Sequence, residues 1–206
     1  MFSGIGTSSE YFESTGITII QPLHGHRYGE ESIALADFCR VKGSDLVAEL
    51  GSGCGIISLM IAARDRPKKI LAIEIQQSIH EIAVKNVEAN NLGKIVSPIN
   101  GDYRELAAKY EAKFDVVLSN PPFFRIQAGR LSSNAERAQA RHELNGTVED
   151  LLVAAKRLLA PNGRFLLVFS ENRREGLMKF ANLNGFATRC QSSRGTFFLS
   201  EFEKLG

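Results

Sequence analysis

The sequence predicts an α/β fold, a seven-stranded and mostly parallel sheet flanked by helices and ending in an antiparallel hairpin. Three observations predict it. From residue 45 onward short apolar runs alternate with longer amphipathic ones, the pattern of repeated βαβ units. The first strong run, Asp45 to Leu50, passes at once into a turn holding three glycines and then into an apolar segment, Ile56 to Ala63. The last two apolar runs are separated by only five residues, room for a hairpin and not for a crossover helix. The chain has 206 residues, 44% of them apolar, which suits one ordinary domain with a short appendage. We divide it into an extension, residues 1–40, that packs on a main domain, residues 41–206.

The elements follow in order. In the extension, Gly16 to Pro22 reads as a small strand and Glu31 to Arg40 as a helix outside the sheet. After the first strand, turn and helix, Lys69 to Ile75 is a second strand. Ser78 to Asn91 is a helix with Ile79, Ile82, Ala83 and Val87 on one face and Gly93 as its stop. Ile95 to Ile99 makes a third strand and Arg104 to Tyr110 a short helix. Phe114 to Ser119 is the fourth strand, stopped by Pro121 and Pro122, which cannot continue a ladder. Ser133 and Glu136 have the spacing of a capping box for a short helix. Thr147 to Leu159 is a clearer helix, capped by Thr147 with Asp150 at its third position and stopped at Pro161-Asn162-Gly163. Arg164 to Phe169 is a fifth strand, Glu175 to Leu183 a helix, and Phe186 to Cys190 with Thr196 to Phe202 the closing antiparallel pair.

Composition removes several function classes. No apolar run reaches 18 residues, and Met1 to Glu10 lacks the basic start and apolar stretch of a secretory signal, so the expectation is a soluble cytoplasmic protein without a membrane partner. Cys39, Cys54 and Cys190 lie far apart, and His24, His26, His80 and His142 show no ligand spacing, so neither a disulfide framework nor a metal site is expected. The net charge of +2 is unevenly spread: residues 1–119 carry −3 and residues 120–206 carry +5. Arg125, Arg130, Arg137 and Arg141 meet only Glu136 over 125–141, a basic stretch suited to a phosphate backbone.

The turn Glu49-Leu50-Gly51-Ser52-Gly53-Cys54-Gly55 departs from a dinucleotide fingerprint in two ways: the third glycine falls one place early, with Ile56 in its stead, and Glu49 stands at the strand end. A pyrophosphate wants a bare helix N-terminus, whereas an acid at that mouth suits a ligand with positive charge, such as the ammonium and sulfonium of S-adenosyl-L-methionine. Glu74, 19 residues beyond Gly55, ends the second strand where a carboxylate receives ribose hydroxyls, and Asp102 follows the third strand within reach of an adenine amino group. Cys54 reads as a small filler of the turn.

Asn120-Pro121-Pro122-Phe123 ends the fourth strand near the point where the strand order should reverse. The prolines fix the backbone. The Asn120 side-chain oxygen and the Pro121 carbonyl can then each accept one hydrogen of a planar exocyclic amine, and Phe123 can stack on an unstacked base.

With these residues in hand, the chain resembles the class I adenosylmethionine-dependent methyltransferases that carry an N-P-P-[FY] motif, over residues 16 to 170. It is most similar to the bacterial N6-adenine methyltransferases that modify the adenine beside the anticodon of a valine tRNA. His26 to Ala36 (HRYGEESIALA) matches their upstream pattern with Glu31 in place of the usual Asp, and an arginine-rich stretch leads to Ala140-Arg141-His142-Glu143. The resemblance implies a Rossmann-like fold and S-adenosyl-L-methionine as cofactor. It implies that Glu49, Gly51 and Gly53 contact the methionyl part, Glu74 the ribose, Asp102 and Tyr103 the adenine, and Asn120 to Phe123 the target base, with Arg27, Gly29, Gly55, Ile75 and Asn120 also in the cofactor set. It implies methyl transfer to an exocyclic nitrogen, adenine N6 of a tRNA. The alternatives are guanine N2 of ribosomal RNA and a protein glutamine N5, although only about 40 residues precede Asp45, too few for the helical substrate domain of the glutamine enzymes. A non-catalytic nucleotide-binding module and an NAD-dependent oxidoreductase are readings of a different class.

Overall fold

A computed structural model describes residues 6–24, 27–121 and 147–205. Its main sheet has seven strands: β3 (Leu46–Leu50), β4 (Lys69–Glu74), β5 (Val96–Asn100), β6 (Phe114–Ser119), β7 (Leu159–Ser170), β8 (Phe186–Arg194) and β9 (Phe197–Lys204). They lie in the order β5-β4-β3-β6-β7-β9-β8, with β9 antiparallel to both of its neighbours. The order reverses between β3 and β6, and in sheets of this kind ligands bind at that switch point, outside the carboxyl ends of the strands. The expected sheet, Rossmann-like order and C-terminal hairpin are all present.

Successive residues of a strand face opposite sides, and the core divides accordingly. On one side Val116, Leu118, Leu166 and Val168 pack under α1 (Glu30–Phe38), α2 (Ile56–Asp65) and α3 (Gln77–Ala89). On the other, Val117, Phe165, Leu167, Phe169 and Phe202 pack under α4 (Tyr103–Lys109), α5 (Val148–Leu158) and α6 (Arg174–Leu183). β3 and β4 are buried on both faces, which explains their unbroken apolar runs. The capping box of α5 forms as its sequence requires: the Asp150 amide donates to Thr147 Oγ1 at 3.1 Å and the Thr147 amide donates to Asp150 Oδ2 at 2.7 Å.

Three stretches differ from the expectation. Pro161 to Gly163 does not stop the chain between helix and strand; β7 starts at Leu159 and absorbs these residues as an irregularity in its pairing with β6. Asn162 there takes a left-handed φ of 63°, and a side chain at Gly163 would meet Leu159 and two carbonyl oxygens at 2.9–3.0 Å. The closing hairpin is longer than expected because β8 runs on to Arg194 before turning at Gly195, whose φ is 68°. Third, β1 (Thr7–Phe12) pairs antiparallel with β2 (Ile17–Pro22) in a separate two-stranded sheet. β1 is almost wholly exposed and carries no alternating apolar pattern to announce it.

That small sheet is held on α3 by two asparagines. Asn86 accepts from the Ile20 amide at 2.7 Å and donates to the Ile20 carbonyl at 2.8 Å; Asn90 does the same with Thr18 at 2.8 and 2.7 Å. Four residues of helix rise about 6 Å and two residues of strand about 6.6 Å, so amides one helical turn apart match alternate residues of β2. Asn86, fully buried, also donates to the Cys54 carbonyl at 2.9 Å and thereby ties the small sheet to the glycine turn.

The capping-box helix expected from Ser133 lies outside the described residues. Among the described residues no helix is long and apolar enough to cross a membrane.

Candidate active site

The carboxyl ends of β3, β4 and β6 open onto one cavity of about 300 Å³, the lower end of the range for small-molecule sites. Strand register brings its walls together. Glu49 pairs with Ala72 of β4 on one side and Leu118 of β6 on the other, and the Ser119 hydroxyl donates to the Leu50 carbonyl at 2.7 Å across the switch point. The acids of three successive strand ends and Asn120 therefore face one space, as their positions in the sequence predict.

The amides of the glycine turn are taken up by β4 and by the turn itself. The Gly51 and Ser52 amides both donate to the Ile73 carbonyl at 2.9 Å, the Gly53 amide to Glu74 Oε2 at 2.9 Å, and the Gly55 amide to the Ser52 carbonyl at 2.9 Å. A pyrophosphate cradle needs such amides pointing outward. Here they are spent, so this turn is unsuited to a dinucleotide. Gly51 and Gly53 take φ of 72° and 56° with open space where a Cβ would stand, which lets a ligand lie close to the backbone. Ser52 Oγ, also on the cavity wall, is buried without a hydrogen-bond partner. Gly55 does not line the cavity: its Cα faces Ala83 of α3, so it permits close helix packing and the left-handed N-cap of α2. Gly29 likewise stands off the lining as the N-cap of α1, with the Glu31 carboxylate folded against it.

The three acids differ in what holds them. Glu49 is 1% exposed and accepts from the Ser58 amide at 3.1 Å and from the Ser58 hydroxyl. Burial pushes its carboxyl up to about 8 despite those bonds, so a cation in the cavity would draw the proton off it. Glu74 bonds the Gly53 amide and, at 2.8 Å, the Gln76 amide, which uses two of the four lone-pair positions of a carboxylate and leaves two for a diol. Asn100 steadies it from β5 by donating to the carbonyls of Glu74 and Ile75 at 2.9 and 3.1 Å. Asp102 caps α4 and is gripped by Arg104 through the amide, Nε and Nη2. Burial raises the Asp102 carboxyl, but the Arg104 bonds and charge outweigh it and hold it below the usual carboxylate range. An adenine amino group can reach this acid only where Arg104 yields a contact, a pairing that the spacing of strand ends does not reveal.

Arg27, Tyr28, Ile75 and Tyr103 also line the cavity. Arg27 donates to the Pro22 carbonyl at 2.8 Å and Tyr28 to Glu10 at 2.6 Å, so both are braced by the small sheet. Asn120 and Pro121 line the cavity too, the Asn120 amide nitrogen donating to Ser32 Oγ of α1 at 2.8 Å. Pro122, Phe123, Arg125, Arg130, Arg137 and Arg141 lie outside the described residues. Ser32, Ser58, Asn86, Asn100 and Arg104 carry no signal of their roles in the sequence: each acts through a partner 2 to 88 residues away, and only the fold creates those pairs.

The model of the methyltransferase small domain family matches residues 31–190. The chain belongs to the methyltransferase small domain family. The match begins inside α1 and ends in β8, so it takes in every wall of the cavity except Arg27 and Tyr28. The protein is 32% identical over 176 residues to the tRNA1(Val) (adenine(37)-N6)-methyltransferase of Tolumonas auensis, covering 82% of this methyltransferase and 71% of that one. It is 26% identical over 179 residues to the protein of that name from Bacteroides fragilis, covering 86% and 74%. Among solved structures, M. jannaschii TYW2 in complex with AdoMet matches with a TM-score of 0.65 at 15% identity, covering all of this chain and 90% of that one. TrmN from Thermus thermophilus matches with a TM-score of 0.63 at 24% identity, covering 84% and 48%. These structural likenesses speak for the fold.

Proposed function

We propose that this methyltransferase moves the methyl group of S-adenosyl-L-methionine to N6 of an adenine in tRNA, the adenine 37 of a tRNA1(Val) that gives its relatives their name. The observation that carries this reading is that Asn120 lines the same cavity as Glu49 and Glu74, a side-chain amide beside two carboxyl groups, which supports a site for an amine and a diol. The cofactor supplies an electrophilic methyl on a sulfonium. Glu49 balances its positive charge, Gly51 and Gly53 let it approach the backbone, and Glu74 takes the ribose hydroxyls. Asn120 Oδ1 and the Pro121 carbonyl draw on the two amine hydrogens as the nitrogen loses its planarity, so the lone pair is aimed at the methyl and one proton leaves from nitrogen afterwards. Orientation and charge supply most of the acceleration, and no strong base is required.

Phe123 stacks on the target base, and Arg125, Arg130, Arg137 and Arg141 contact the RNA backbone on the downstream side of the motif. The substrate implies a cytoplasmic setting. We read residues 1–40 as an extension of the methyltransferase domain, residues 41–206, and the asparagine bracket supports the packing of β2 on that domain. The test is methylation of bulk tRNA with labelled cofactor, followed by nucleoside analysis. N6-methyladenosine in a valine tRNA is the expected product; label in guanine N2 or only in protein refutes the reading.

A further inference from the structure

We infer that Ser32 is a positioning residue for methyl transfer, holding the Asn120 amide by its nitrogen end beside the reacting amine; this rests on the role proposed for Asn120. An amide has an accepting and a donating end of nearly the same shape, and only the oxygen can receive an amine hydrogen. With the amide turned over, its NH2 would confront the NH2 of the base, two donors with nothing to accept. Proline at 121 restrains the backbone but leaves the side-chain torsion of Asn120 free. The torsion is set from elsewhere: Asn120 Nδ2 donates to Ser32 Oγ at 2.8 Å, across 88 residues of sequence. The amide is planar, so engaging the nitrogen on α1 directs the oxygen away from α1.

Ser32 is suited to hold that contact. It is 5% exposed, so little water competes for the bond. It lies in the first turn of α1, where its own amide donates to the Gly29 carbonyl at 3.1 Å and the backbone is already fixed. α1 in turn packs on α2, with Leu35 and Ala36 buried in the shared core. The hydroxyl is thus anchored on a rigid element, while the amide it orients stands at the end of β6, on the cavity.

The experiment compares S32A, S32T, N120A and the double variant N120A/S32A in the full-length protein. Single-turnover methyl transfer is measured on the tRNA fraction labelled by wild type, and affinity for S-adenosylhomocysteine by calorimetry. S32A is expected to slow transfer about tenfold, the weight of one hydrogen bond, with cofactor affinity unchanged, and S32T to recover most of the rate. In the N120A background the added S32A is expected to cost nothing further, because Ser32 acts only through the amide. Side-chain amide signals of Asn120, recorded by NMR without any substrate, should shift in S32A and return in S32T. Transfer unimpaired in S32A, a loss that adds in full to that of N120A, or unmoved amide signals overturns the inference. If wild type labels no tRNA, the substrate reading falls, and the amide signals decide the Ser32 contact by themselves.

Discussion

Replacing Glu74 by Gln tests the cofactor site at the point where binding and fold share one carboxylate. The glutamine keeps the size of the side chain but exchanges one oxygen for an NH2. Glu74 Oε2 accepts from the Gly53 amide at 2.9 Å and Oε1 from the Gln76 amide at 2.8 Å. Whichever way the new amide turns, one of those backbone donors loses its acceptor and meets another donor. A buried unsatisfied donor costs about 1–3 kcal/mol, and for a chain of this length each kcal/mol lowers Tm by about 2–4 °C. A drop of about 2–12 °C is therefore expected. The change also removes one charge-assisted bond to a ribose hydroxyl, about 1.5–3 kcal/mol, which weakens cofactor binding about tenfold to one hundredfold. Calorimetric titration with S-adenosylhomocysteine and thermal melting read the two effects separately. A folded E74Q protein with wild-type affinity refutes the ribose assignment; an unchanged Tm refutes the role of Glu74 in holding the glycine turn.

For Glu49, burial lifts the carboxyl from an ordinary 4.5 to about 8, so the folded state holds a proton that the unfolded state releases. Stability should then fall as pH rises between those values, and E49Q should flatten that trend and melt higher at pH 8 while binding cofactor more weakly; parallel pH profiles for the two proteins would sink the idea. Asn120→Ala should lower kcat about a hundredfold or more and leave cofactor affinity nearly unchanged, because its bond strengthens as the amine loses planarity; single-turnover rates that survive the substitution contradict this. Asn86→Ala strips acceptors or donors from Ile20 and Cys54 in a fully buried setting, and a Tm loss of less than about 4 °C in melting curves would show that the bracket matters little. Reversing Arg125 and Arg130 to Glu should weaken tRNA binding at low salt and flatten the log–log salt slope by about 0.7–0.9 for every phosphate that is no longer neutralised, with wild-type affinity and slope in filter binding as the refuting result.

The strand ends are legible in the sequence because β3, β4 and β6 are largely buried and leave continuous apolar runs; Glu49 and Glu74 stand in the last two residues of theirs, and Asp102 and Asn120 come within two residues of a strand end. The capping box of α5 is legible for a similar reason, its partners being three residues apart. β1 is not, since its exposed residues share no period that a half-buried strand would impose. Pro161-Asn162-Gly163 reads as a terminator, but a bulge tolerates the same left-handed and side-chain-free positions. Asp102 looks available because nothing in its spacing reveals that the next residue but one folds back on it. Ser32 stands inside the HRYGEESIALA pattern without any sign of its role, as its partner lies on another element.

The asparagine bracket on β2 has a consequence beyond anchoring. The run Ile-Thr-Ile-Ile-Gln ahead of Pro22 carries no charge, and an uncharged, β-branched run of this kind pairs with strands of other chains when one edge stands open. One edge is paired with β1, and the outward amides and carbonyls of Thr18 and Ile20 on the other are consumed by Asn90 and Asn86. Side chains of a helix thus do for this edge what a neighbouring strand would do, and the chain gains protection against self-association at a place where its composition alone invites it.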